Sequence, residues 1–166
     1  YVVNLTQKLV IGIRTDQWKR KLTVHLNTSI KTFNCYKDLD QNFWINRAQK
    51  EADLIFSKPG PRRGRPINEV FDTVKFGHAS ECWLISEYGF TDDTRDYKDL
   101  IYNNVPIEVK TVRAKRNVSW MLKKCNEEKM KPYRKFADIV YMFIANEETG
   151  EYQFENLYKW NGYRFS

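Results

Sequence analysis

The sequence predicts an α/β domain, and three observations carry that expectation. The first is the order of patterns. From about Gly77 to Tyr158 the chain reads helix, three strands, helix, strand, and then one more strand. The second is composition: 42% apolar and 15% aromatic residues in 166 suit one compact core and not a disordered chain. The third is the absence of any apolar run near the ~20 residues of a membrane span. A soluble protein is therefore expected, and no secretion-signal pattern precedes the first polar cluster.

The elements follow in chain order. Val2-Val3, Leu9–Ile13 and Leu22–Leu26 are short β-rich stretches and read as strands. Trp44, Ala48, Ala52 and Ile55 recur at helical spacing, which predicts a helix from about Leu39 to Phe56 with Asp38 or Asp40 as its cap. Residues 58–66, Lys-Pro-Gly-Pro-Arg-Arg-Gly-Arg-Pro, disfavour regular structure and read as a basic loop. This loop separates an N-terminal α+β extension, residues 1–57, from residues 67–166. Gly77 to Tyr88 reads as a helix stopped by Gly89, with Phe90 to Asp92 extended after it. Asp99–Tyr102 and Val105–Val112 are strands joined by Asn103-Asn104, a pair that tolerates positive φ, so they form a hairpin. Ser119 to Lys131 is a polar, basic helix. Ile139–Ile144 is a continuous apolar run and hence a buried strand. Glu147–Gly150 turns the chain into a last strand, Tyr152 to Tyr158.

The charge balance points to a polyanion. Lys and Arg total 28 against 21 Asp and Glu, a net charge of +7. With no long basic amphipathic helix, nucleic acid is favoured over a membrane surface. Cys35, Cys82 and Cys125 are odd in number and widely spaced. They make no disulfide framework, and a reducing, cytoplasmic setting is expected. His78 and Cys82 share a helix face but lack the second pair a zinc site needs, so they read as a surface imidazole near a buried thiol.

The hairpin holds the residues that carry chemistry. Side chains alternate along a strand, so Ile107 and Val109 turn to a core while Glu108 and Lys110 lie together on the other face. Folding at Asn103-Asn104 returns Asp99 to the side of Glu108. Two carboxylates and a main-chain carbonyl suit Mg²⁺ with room for water and a phosphate oxygen. An adjacent lysine orients or deprotonates the water and favours the phosphate. Asp96 competes with Asp99 for this place but lies before the strand. Glu81 has its own argument: its helix-face neighbours include Gly77, Leu84, Ile85 and Tyr88, and a carboxylate among them needs a metal or a lysine to offset burial.

Asp99 followed by Glu108-Val109-Lys110 resembles the PD-(D/E)xK motif of the restriction-endonuclease-like nucleases. The element order over roughly half the chain is similar to that family's core. Lys98 stands where the motif often has proline. The resemblance implies a mixed central sheet flanked by helices. It implies that Asp99, Glu108 and the Val109 main-chain carbonyl bind the metal, that Lys110 serves the attacking water, and that Glu81 is the additional helix carboxylate.

Outside the motif, Arg63-Gly64-Arg65-Pro66 resembles the core of an AT-hook, which enters an A·T minor groove. A flexible linker touching phosphates is the other reading. Arg62 joins Arg63 and Arg65 as an expected DNA contact. Arg113, Lys115 and Arg116, just past the motif strand, are expected to hold phosphates. Lys123 and Lys124 read as a solvated face, Trp18 to Lys21 as a further DNA patch, and Trp120 and Trp160 as core or edge packing rather than base-stacking platforms. The whole reads as a DNA endonuclease using Mg²⁺, with Mn²⁺ as a substitute, acting on double-stranded DNA as a site-specific enzyme of restriction or homing type. A homodimer would let it cut both strands, with residues 1–57 supplying DNA contacts or the dimer surface. The competing readings are a structure-selective repair or junction nuclease and a non-catalytic basic DNA-binding module.

Overall fold

The computed structural model describes residues 26–58, 64–93 and 99–166. The predicted strands at Val2-Val3 and Leu9–Ile13, all but the last residue of Leu22–Leu26, the Trp18–Lys21 patch, Arg62, Arg63 and Asp96 lie outside them. The described residues form an α/β protein with three helices and a six-stranded, mixed, strongly curled half-barrel sheet. In chain order the elements are β1 (Phe33–Asn34), α1 (Gln41–Ser57), α2 (Ile67–Tyr88), β2 (Thr91–Asp92), β3 (Leu100–Tyr102), β4 (Val105–Val112), α3 (Val118–Met130), β5 (Ile139–Asn146) and β6 (Glu151–Lys159). A 3₁₀ turn, Lys115–Asn117, leads into α3. No helix among the described residues is long and apolar enough to cross a membrane.

The sheet order is β1-β6-β5-β4-β3-β2. Only β4 and β5 run parallel, and α3 makes the crossover between them. Asn103 and Asn104 sit at φ 48° and 64°, so a turn of two left-handed residues closes the β3–β4 hairpin as its sequence predicts. Gly150, at φ 78°, closes the β5–β6 turn, where a Cβ would stand 2.4 Å from the Tyr36 ring.

Asp40 caps α1, its carboxylate accepting from the Phe43 N–H, and the α1 stripe Trp44, Ala48 and Ala52 is buried. Helix α2 begins ten residues before the Gly77 start that the sequence predicts. Pro66 precedes its first turn, and Val70 and Val74 pack against Ala48 of α1. That packing carries the helix through Gly77. Strand β1 escaped the sequence reading because it is two residues long; it exists by pairing with β6.

Two apolar layers sandwich β4. Ile107 and Val109 join the larger cluster with Ala79, Cys82 and Leu84 of α2. Val112 joins the smaller one with Val118 and Cys125 of α3, Phe136, Val140 and Met142. Two side-chain expectations are corrected here. Trp120 is 57% exposed and does not pack in the core, because it faces outward on α3 while Val118 and Cys125 turn inward. His78 is buried, not at the surface, because its face of α2 is covered.

Candidate active site

The β3–β4 register brings the motif together. Leu100 pairs with Ile107, and Asp99, the residue just before β3, donates its N–H to the Ile107 carbonyl at 3.2 Å. The Asp99 carboxylate accepts from the Val109 N–H at 2.8 Å. Lys110 Nζ lies 2.6 Å from Glu108 Oε1. Glu108, Lys110 and Val112 alternate with Ile107, Val109 and Thr111, so the charged pair faces the α3 side of the sheet. There Lys110 Nζ stands 6.0 Å from the Phe136 ring centroid. Strand alternation anticipates this; burial of Glu108 to 3% exposure it does not.

Burial governs the charges. It pushes the Glu108 carboxyl up to about 7, the Lys110 ammonium pulling it down and the Asp99 carboxylate adding to the rise. Burial works against the Lys110 charge, but Glu108 and Asp99 outweigh it and hold the amine protonated well above the ordinary lysine range. Glu108 and Asp99 thus favour Lys110 as a cationic hydrogen-bond donor. Glu108 Oε2 is buried with no hydrogen-bond partner. A bare carboxylate oxygen is costly in such a place.

Glu81 arrives from α2 and has different company. Arg47, from α1, donates to Glu81 Oε2 through Nε at 3.2 Å and NH2 at 2.6 Å. Its NH1 binds Asp92 Oδ1 at the β2 edge. Burial and the Asp99 carboxylate push Glu81 up to about 8 against the pull of Arg47. His78 Nε2 meets the Glu51 carboxylate, and its Nδ1 lies 3.3 Å from Glu81 Oε2. Burial and the Arg47 charge push this imidazole down to about 4. The neutral ring thus directs Nε2–H to Glu51 and leaves Nδ1 without a donor.

Arg47, Asp92 and His78 did not emerge from sequence reasoning as members of this cluster. The signal for Arg47 was present: residues 47 and 51 flank the buried stripe of Trp44, Ala48 and Ala52. Helical spacing reveals the stripe but not what lies across from its edge.

The DNA-contact residues scatter more. Arg65 is exposed in the turn before α2. Arg113 is exposed, bonds Glu147 at 3.0 Å and lies over the Phe76 ring. Lys115 and Arg116 are exposed in the 3₁₀ turn. Arg113 follows Lys110 by three residues, roughly 10 Å along a strand.

Asp99 and Glu108 offer hard oxygen donors of the kind magnesium prefers, and the unpartnered Glu108 oxygen fits a cation. Among the described residues, no group of three or more His, Cys, Asp or Glu is arranged to hold a metal ion. Any ion here would rest on two carboxylates, main-chain oxygen and water. No protein family, curated protein or solved structure shows a significant match to this chain.

Proposed function

We propose that this protein is a metal-dependent DNA endonuclease with a restriction-endonuclease-like core, hydrolysing phosphodiester bonds. The observation that carries the reading is the convergence of Asp99, Glu108 and Lys110 across one hairpin, with a buried carboxylate oxygen left unpaired. Asp99, Glu108 and the Val109 carbonyl would hold Mg²⁺ or Mn²⁺. The bound ion would acidify a water and offset charge developing on the phosphate.

The chain's own groups do the rest. Lys110, as an ammonium, donates hydrogen bonds to the attacking water or a phosphate oxygen. Its low-dielectric surroundings strengthen that contact. Lys115 and Arg116 hold flanking phosphates without reading bases. A site-specific enzyme on double-stranded DNA is favoured, and cutting both strands would call for a homodimer.

The test is incubation of supercoiled plasmid and of branched duplexes with pure protein, with Mg²⁺ or chelator, beside Lys110→Ala. Cleavage that needs both Mg²⁺ and Lys110 supports the reading, and discrete plasmid fragments support a site-specific enzyme over a structure-selective one. Binding without cleavage on every substrate would replace the nuclease with a DNA-binding module.

A further inference from the structure

Helix α3 buries Val118 and Cys125 against the sheet and turns its opposite face to solvent. Trp120, Lys123, Lys124 and Glu127 recur on that outer face at helical spacing, and all four are exposed. An aromatic side chain ordinarily buries about 150–250 Å², yet Trp120 is 57% exposed. Lys124 Nζ stands 5.7 Å from the centroid of its ring. Lys115 and Arg116 are exposed in the 3₁₀ turn that leads into the same helix. Cations thus mark the approach to α3 and its first two turns, against the Glu127 carboxylate 3.9 Å from Lys124. Protein-docking faces are depleted in lysine, so an exposed indole in this company fits a polyanion better than a protein partner.

We propose that the outer face of α3 binds an unpaired stretch of a nucleic-acid strand, with one base stacked on the Trp120 indole and Lys115, Arg116, Lys123 and Lys124 on the phosphates. In a duplex the neighbours cover each base face, so an unpaired base is what offers a ring to stack on. Such stacking tolerates any sequence, because every base has a π face. The surface goes beyond the nuclease reading: it uses neither a metal nor Asp99, Glu108 and Lys110. It would hold a frayed end, a gap or a branch arm whether or not that strand is then cut.

Fluorescence anisotropy of a labelled oligothymidylate titrated with the full chain tests this, with chelator present so that nothing is cut. Trp120→Ala should weaken binding at least about fivefold, the low end for losing one stacked base. Trp120→Phe, which keeps a ring, should stay within about threefold. A strand of the same backbone without bases should bind the unaltered protein and Trp120→Ala alike. Lys123→Ala and Lys124→Ala should each lessen the slope of log affinity against log salt by about 0.7, one phosphate contact on a single strand. Unchanged affinity of Trp120→Ala for the oligothymidylate, or an equal loss on the strand without bases, would overturn the proposal. So would a dimer that Trp120→Ala dissociates while strand binding is unchanged, which would give the face to a second copy of the chain. The nuclease reading stands or falls separately, on cleavage that needs Mg²⁺ and Lys110.

Discussion

Two buried charge clusters lie on either side of the same sheet, and they are finished differently. In the α1–α2 cluster Glu81 Oε2 takes two bonds from Arg47, and Arg47 also holds Asp92. In the β3–β4 cluster Asp99 bonds a backbone N–H and Lys110 bonds one oxygen of Glu108, but the other oxygen has nothing. A buried group whose hydrogen bonds are met supports the fold; one left bare is stabilised by what it binds. Each cluster keeps one buried atom without a hydrogen-bond partner, His78 Nδ1 in the first and Glu108 Oε2 in the second. The difference is that the carboxylate of the first is held by a guanidinium, while the bare atom of the second is itself a carboxylate oxygen, the donor type a cation takes.

The comparison breaks most sharply by exchanging what each cluster loses. Lys110→Ala should lower plasmid cleavage by about a hundredfold to a thousandfold, as removal of one positioned donor to a developing charge does. Circular dichroism should show the fold retained. Equal cleavage rates would place the chemistry elsewhere.

The same kind of truncation in the α1–α2 cluster should act on stability. Arg47→Met leaves Glu81 and Asp92 without their cation and should cost about 3–5 kcal/mol, the usual loss when one partner of a buried pair is removed. Urea unfolding measures it. A loss under about 1 kcal/mol, the range of exposed pairs, would mean that the cluster does not support the fold.

A pH series sharpens the contrast further. The Glu108 carboxyl is raised from 4.5 to about 7 in the folded protein. The folded state then holds this proton more tightly than the unfolded chain does. Its contribution is present below pH 4.5 and lost as pH rises through about 7, on the order of 3 kcal/mol in all. Mg²⁺ binds the ionised carboxylate, so it should raise the melting temperature more at pH 8 than at pH 5.5. At a hundredfold excess over its dissociation constant the gain is about 2.7 kcal/mol. An equal shift at both pH values would disconnect the ion from Glu108.

The smallest effect calibrates the others. Asp40→Ala removes the cap of α1, outside both clusters, and should cost about 1 kcal/mol with cleavage unchanged. A fall in cleavage as large as that of Lys110→Ala would show that the site depends on the docking of α1.

Legibility in the sequence followed the range of the interaction. The Asn103-Asn104 turn, the Gly89 stop and the stripe of α1 are written within a few residues, and the structure has all three. The β3–β4 register follows from the same turn, because two residues leave one register for the hairpin. Helix α2 starts ten residues before its local signal because Val70 and Val74 declare themselves only against Ala48. Trp120 stays outside the core because α3 turns it outward, and nothing local in the sequence says so.

The sequence by itself determined which residues alternate, where the chain turns, and that Glu108 and Lys110 share one face of a strand. These are consequences of backbone period and turn chemistry. Only the tertiary structure decided that α1 carries Arg47 to Glu81 and Asp92, that a second apolar layer under α3 buries Glu108, and that one of its oxygens has no partner. Those outcomes depend on contacts between elements far apart in the chain. Burial and electrostatic pairing are properties of the assembled surroundings, and no local pattern encodes them.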